Sequence, residues 1–289
     1  MRVPDQVFSN LALRSLSEQR QRYLTSQEQA MSGSRVSRAS DDPVAVTRAR
    51  NAHTERRQSE DYVRATDYAT SFLDRADVVI GEVNGILQMA REAAIQGMND
   101  TLSAEDRLSL SHEIAAMADQ VVTLANTKVN GRYIFSGYAD DTPAIDATGA
   151  YQGTSDVPEM EIGPGLRVSI GVAGDQIFSG GADVINVVEE LRLALANNDT
   201  DAMGDALDRV IDAESVVTDH WGRVGALAQR TKVAQSVALD RKLHAEEAVN
   251  TQIGIDPFES YTNMSRARGA LEAAVQIASQ LPPPGLVSR

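Results

Sequence analysis

The chain contains no cysteine, which excludes disulfides, thiolate metal sites and thiol nucleophiles. Aromatic residues are scarce, at 4%. A core built on large rings is therefore not expected, and close-packed, alanine-rich helical interfaces fit better. No apolar run is long enough to span a bilayer, and the opening MRVPDQVFSN lacks the apolar core of a secretory signal. Positive charge is also short: 27 Lys and Arg face 41 Asp and Glu, a formal net charge of −14. That balance argues against a nucleic-acid partner, because phosphate binding needs clustered cations.

Residues for chemistry are equally sparse. The four histidines, His53, His112, His220 and His244, are scattered. His112-Glu113 opens like a zinc-protease helix, but Ala116 stands where the second histidine would have to be. Gly171 to Gly181 is glycine-rich without the spacing or the lysine that cradle phosphates. Asp41 and Asp42 are adjacent carboxylates with a structural use at a helix start. No catalytic, cofactor-binding or metal-binding residue is expected, and an enzyme is the least favoured class.

What the sequence does have is periodicity. Its 289 residues, 42% hydrophobic, permit two or three modules with a sizeable core. The first sixty residues run against the acidic trend, with ten arginines facing seven acids. Ala12, Leu16, Tyr23 and Ala30 share one face of a first helix, a stripe too thin to hold an isolated helix in water. From Tyr62 the period sharpens through Ala65, Ala69, Phe72, Ala76, Val79, Val83, Ile86, Ala90 and Ala93, a seam of alternating three and four. After a break at Gly97 to Ser103, with Ser103 and Asp106 as a capping pair, Leu110, Ile114, Met117, Val121 and Leu124 give a third helix.

Between Asn130 and Asp183 the pattern changes. Arg132 to Phe135 is strand-like. Leu166, Val168, Ile170 and Val172 alternate with polar residues or glycine, and Gly163-Pro-Gly165 turns Glu159 to Ile162 back onto them. Helices resume at Ala182 with Val184, Val188, Leu191 and Leu195. A further seam runs through Met203, Ala206, Val210, Ala213, Val217, Val224 and Leu227. The last holds Met264, Ala267, Leu271, Ala274, Ala278 and Leu281, before Pro282-Pro-Pro284 stops it.

The predicted fold is mainly α: an elongated rod whose two termini form long paired helices, carrying a small β-rich insertion. Its expected divisions are terminal helices at 1–40 and 251–289, a helical rod domain at 41–130 and 182–250, and the β insertion at 131–181. The insertion is expected to be removable without loss of the helices. The thin terminal stripes, represented by Leu16, Tyr23, Met264, Ala267, Leu271, Ala274, Ala278 and Leu281, are expected to complete their burial against other subunits.

One joint carries more information than its length suggests. Gly33 suits a helix stop in the left-handed conformation. Asp41, Asp42 and Pro43 then suit a helix start, with a carboxylate for the orphan N–H groups and proline at the first helical position. Gly33 through Val46, centred on Ser40-Asp-Asp-Pro-Val-Ala-Val46, resembles the N-terminal signature of the flagellin-like axial proteins. Its Asp-Asp-Pro form resembles the hook–filament junction members more than the flagellins. Asn130-Gly-Arg-Tyr-Ile-Phe-Ser-Gly137, Tyr151-Gln-Gly153, Glu161-Ile-Gly-Pro-Gly165, Gly174-Asp-Gln-Ile-Phe178 and Arg223-Val-Gly225 follow in that family's order.

The resemblance implies a non-enzymatic structural subunit, secreted through the flagellum's own type III channel without a cleaved signal, and acting in the extracellular bacterial flagellum for motility. It implies assembly with itself in a ring through terminal coiled-coil helices, contact with the other hook–filament junction protein and with flagellin, and an export chaperone on the C-terminal helix. No cofactor and no membrane span are implied. A short flagellin is the near alternative. A cytoplasmic coiled-coil signalling protein is remote, because the β insertion and the Asp-Asp-Pro joint argue against it.

Overall fold

The computed structural model describes residues 3–280. The elements, in order, are α1 (Val3–Ser32), α2 (Pro43–Gly97), α3 (Ala104–Ala125), β1 (Lys128–Val129), β2 (Arg132–Tyr133), β3 (Glu159–Gly163), β4 (Leu166–Ser169), α4 (Asp175–Phe178), α5 (Val184–Ala196), α6 (Thr200–Ile253) and α7 (Pro257–Gln280). The mainly α reading with a small β-rich insertion is met. Leu281 and the proline run after it lie outside the described residues. Two compact units are present, Ser59–Leu239 and the segments on either side of it.

The Ser59–Leu239 unit holds the main core. On α2 the seam expected from periodicity is buried from Ala69 to Ala93. A second row, Leu73, Ile80, Leu87 and Ala94, is buried beside it at heptad spacing. Two adjacent rows mean that α2 has neighbours on two sides, which a single coiled-coil seam would not give. One neighbour is α6, which runs antiparallel. Arg91 pairs with Glu214 at 3.2 Å, Thr218 donates to Asn84 at 3.3 Å, the Trp221 indole N–H donates to Asp77 at 2.8 Å, and Lys232 pairs with Asp74 at 3.1 Å. These polar links are largely exposed and add little stability each. They fix register over a buried row that includes Met203, Ala206, Val210, Ala213 and Val217. Trp221 lies flat on Gly81, where an added Cβ would sit 3.1 Å from the ring.

At one end of this unit, Arg107 is 6% exposed and has only neutral acceptors among its hydrogen bonds. Its guanidinium donates to the Gly97 carbonyl at 2.6 Å, the Asn99 carbonyl at 3.0 Å and the Asn198 side chain at 2.5 Å. It ties the α2–α3 turn to the α5–α6 turn. Ser103 opens α3 with a reciprocal capping box to Asp106, worth about 1 kcal/mol.

The β-rich segment is less regular than its alternation suggested. β1 and β2 form a two-pair hairpin across Asn130 and Gly131, both at positive φ, the geometry that matches strand twist in a two-residue turn. The strand expected over Arg132 to Phe135 covers only its first two residues. β3 and β4 pair antiparallel, with an irregularity between Glu161 and Gly163. β4 ends at Ser169 rather than Val172: Ile170 still donates to the Pro158 carbonyl at 2.9 Å, and the chain then turns away to reach Phe135.

The segment's apolar side chains join the helical core. Ile134, Phe135, Ile145, Ile162, Val168, Ile177 and Phe178 belong to one continuous buried cluster with α2, α3, α5 and α6. The Asn126 side chain bonds both the N–H and the C=O of Ile145, at 3.0 and 2.8 Å. The expectation of a freely removable insertion is therefore corrected, because excision would open the helices' own core.

Three family-like stretches meet here. Phe135 packs edge-on against Phe178 at 5.2 Å. The Tyr151 hydroxyl donates to the Phe135 carbonyl at 2.8 Å, and Gly174 donates its N–H to the same carbonyl at 3.2 Å. Burial pushes the Tyr151 phenol up to about 12, so it stays a donor at any physiological pH. A Cβ at Gly153 or Gly174 would strike this knot. Phe178→Ala should cost about 3–5 kcal/mol. Far-ultraviolet circular dichroism and Trp221 fluorescence should lose their signals in one transition at a lower Tm, since the β-rich segment and the helices share one core.

Candidate assembly interface

The second compact unit contains α1 and α7, and these two helices pack on each other. On α1 the half-buried residues include Ala12, Leu16, Gln19, Tyr23 and Ala30; on α7 they include Met264, Ala267, Leu271, Ala274 and Ala278. Among the described α7 residues only Ser260 is fully buried. Two thin stripes thus cover each other partly and nothing covers their backs. The pairing is antiparallel: Tyr23 is near enough to Arg268 to favour its charge, while Leu11, Ala12 and Ser15 share a groove of about 880 Å³ with Ala270, Ala274 and Ile277.

The structure therefore changes which residues are available to a partner. The Leu271 stripe, read from periodicity as a face left wet in the single chain, is already half-covered by α1. The large apolar side chains left open among the described residues are Val7, Leu11, Leu13, Leu24 and Met31 on α1, and Phe258, Tyr261, Val275 and Ile277 on α7, from 48% to 86% exposed. Sequence reading passed over them because they lie off the three-four seam. The available signal was Leu13, Leu24 and Met31 at intervals of eleven and seven, a second stripe on the same helix.

The joint between α1 and α2 is ordered by short-range bonds. Gly33 has φ +65 and donates to the Gln29 carbonyl at 3.0 Å, closing α1. Pro43 is the first residue of α2. Asp42 accepts from the Ala45 N–H at 2.9 Å, the N-cap bond. Asp41 turns the other way and accepts from the Arg38 N–H at 2.9 Å, holding the linker rather than the helix. The Ala45 N–H bond, with Arg35 beside it, keeps the Asp42 carboxyl below its ordinary value of 3.8.

Chemistry-bearing groups do not converge. Among the described residues no group of three or more His, Asp or Glu side chains is placed to hold a metal ion. His220 is half-buried on α6, and burial lowers its pKa, with Arg223 adding to the effect and Asp219 and Asp175 opposing it. No described helix is long and apolar enough to cross a membrane.

Comparison with known proteins adds direct evidence. The family described as bacterial flagellin N-terminal helical region matches residues 3–140. Flagellar hook-associated protein 3 of Escherichia coli (strain K12) is 26% identical over 300 residues, covering 95% of each chain. Flagellin E of Vibrio cholerae is 28% identical over 138 residues, 47% of this chain and 36% of the flagellin. Among solved structures, a flagellar hook-associated protein from Vibrio parahaemolyticus superposes with a TM-score of 0.68 at 20% identity. That match covers 74% of this chain and all of the other, and it shows a shared fold.

Two tests follow from this geometry. Leu16→Asp should lower the stability of the α1–α7 pair by about 1–3 kcal/mol, seen as faster amide exchange in both helices. Leu13→Asp, on the open side, should change it by less than about 0.5 kcal/mol. Asp42→Ala should lower helix stability at neutral pH. Because Asp42 titrates lower in the folded chain than its ordinary 3.8, its contribution is complete above about pH 4 and is lost as pH falls through the lowered value. Urea unfolding at a series of pH values should show wild type and variant converging as the pH falls below that lowered value.

Proposed function

We propose that the chain, which is similar to flagellar hook-associated protein 3 over 95% of its length, is the structural subunit joining the hook to the filament in a bacterial flagellum. The observation that carries this reading is the reach of the similarity. It extends over 95% of both this chain and the hook-associated relative, whereas the flagellin match stops at 47% of this chain. A short flagellin is the weaker alternative.

The terminal pair supplies the mechanism. In the subunit α1 and α7 hold each other along thin stripes. On assembly the open residues, Leu11, Leu13, Leu24, Val275 and Ile277 among them, become buried between copies. The apolar area gained there offsets the entropy of ordering long, lightly anchored helices. The assembly is a ring of copies, with the other junction protein on one side and flagellin on the other. Export passes through the flagellar type III channel without a cleaved signal, with a chaperone engaging the C-terminal helix beforehand. The relatives are structural components of the flagellum, and no reaction step enters the proposal.

Ile277→Asp tests it. Ile277 is 61% exposed in the single chain, so the purified variant should melt within about 0.5 kcal/mol of wild type. Buried between copies, the unpaired carboxylate is costly. The variant should therefore be exported but fail to remain on the hook, and immunoblots should find flagellin shed into the medium. Normal cell-bound filaments would remove Ile277 from the interface.

A further inference from the structure

The α1–α7 pair has a register problem that its own side chains do not solve. Its stripes repeat at heptad-like spacing: Ala12, Leu16, Tyr23 and Ala30, four and then seven apart, face Met264, Ala267, Leu271, Ala274 and Ala278, three and four apart. Sliding α7 by two turns exchanges Ala267 for Ala274 and Met264 for Leu271, so contact changes little. The covalent connections constrain the two helices unequally. Only Gly254, Ile255 and Asp256 separate α6 from α7, but residues 33–42 separate α1 from α2, enough slack to permit a slide.

We propose that Gly33–Arg35 and Ile253–Ile255 form a clasp that sets the register of α1 against α7, with Arg35 as its latch. Ser34 and Gly254 face each other as an isolated antiparallel bridge. The Arg35 N–H donates to the Ile253 carbonyl at 2.7 Å, and the Ile255 N–H donates back to the Gly33 carbonyl at 3.3 Å. The Ser34 hydroxyl bonds the Ile253 carbonyl at 3.0 Å. The Arg35 guanidinium donates to the Gln252 carbonyl at 3.0 Å and meets the Asp42 carboxylate at 3.4 Å. Gln29, in the last turn of α1, donates to the Arg35 carbonyl at 2.9 Å. Arg35 therefore touches the end of α1, the end of α6 and the cap of α2 at once.

The two arms are built alike. Each helix before the clasp ends at a glycine, Gly33 and Gly254. Each helix after it opens with Asp-Pro: Asp42 accepts from Ala45, and Asp256 accepts from Phe258 at 2.7 Å and Glu259 at 3.3 Å. These stops and starts place the bonding groups of the clasp at fixed points, so one pair of carbonyls anchors the whole terminal pair.

The absence of native cysteine makes register directly measurable. Ala12→Cys with Ala274→Cys places two thiols on half-buried positions that line one groove between the helices. Ala12→Cys with Ala267→Cys displaces one of them by seven residues, about 10 Å along the helix, too far for a disulfide. With the clasp intact, mild oxidation should cross-link the first pair and leave the second reduced. Adding Arg35→Pro, which removes both the backbone donor and the guanidinium, should slow the first reaction and raise the second about fivefold or more. Ser34→Ala with Arg35→Ala removes only the side-chain bonds and should shift the ratio the same way, less far; it decides the matter if the proline variant loses α1 helicity. An unchanged ratio in a helical variant overturns the proposal, since the seam alone would then hold register.

Discussion

A helix with one thin apolar stripe can satisfy only one neighbour, and only in part. This constraint governs α1 and α7. Their paired faces reach half-burial, and large apolar side chains stay open on the other sides, up to Phe258 at 86%. An isolated helix of this composition is marginal in water. The terminal unit is stable enough to be formed and incomplete enough to bind. That combination suits the proposed role, in which the subunit would bury the same surface against other copies.

The Ser59–Leu239 unit solves the opposite problem. There α2 carries two buried rows instead of one, so it is covered by neighbours on two sides, and only single apolar side chains such as Val78, Met89 and Ile95 stay open. Alanine and glycine at contact positions let helices approach closely, as Gly81 does under Trp221, and this compensates for the scarcity of aromatic residues. Where a turn needed to be held without a large side chain, Arg107 holds it with three charge-assisted bonds to neutral acceptors. Such bonds are stronger than neutral ones, and their loss would release the Gly97 carbonyl and the Asn198 side chain, while the Asn99 carbonyl keeps its bond from the Leu102 N–H. One unit has a deep buried core and the other only half-buried stripes, and the proposed division of labour rests on that difference.

Long periodic segments were legible in the sequence because burial on a helix repeats at three and four. The α2 seam from Ala69 to Ala93 and the α3 cap at Ser103 could both be read directly. The second α2 row was missed because periodicity scored one stripe and stopped, although Leu73, Ile80, Leu87 and Ala94 repeat at seven. Strands were less legible: Arg132 to Phe135 is strand-like in composition, but Phe135 is held by Tyr151 and Gly174 from distant stretches, a tertiary demand that no local pattern records. The terminal faces were legible as faces and not as to partner. A stripe such as Met264 to Ala278 shows what wants cover, and only the fold shows that α1 already supplies part of it. The clasp at Ser34 and Gly254 joins residues more than two hundred positions apart. Its one local sign was the repetition of Asp-Pro after a glycine stop.

The central claim is that this subunit ends a hook rather than building a filament. Electron microscopy of the purified protein added to isolated hook fragments tests it most directly. The account predicts density confined to a short, bounded layer at the hook end, with no growth when more subunit is supplied. Long filaments extending from the hooks as protein is added, or forming without them, would contradict it and make the chain a flagellin.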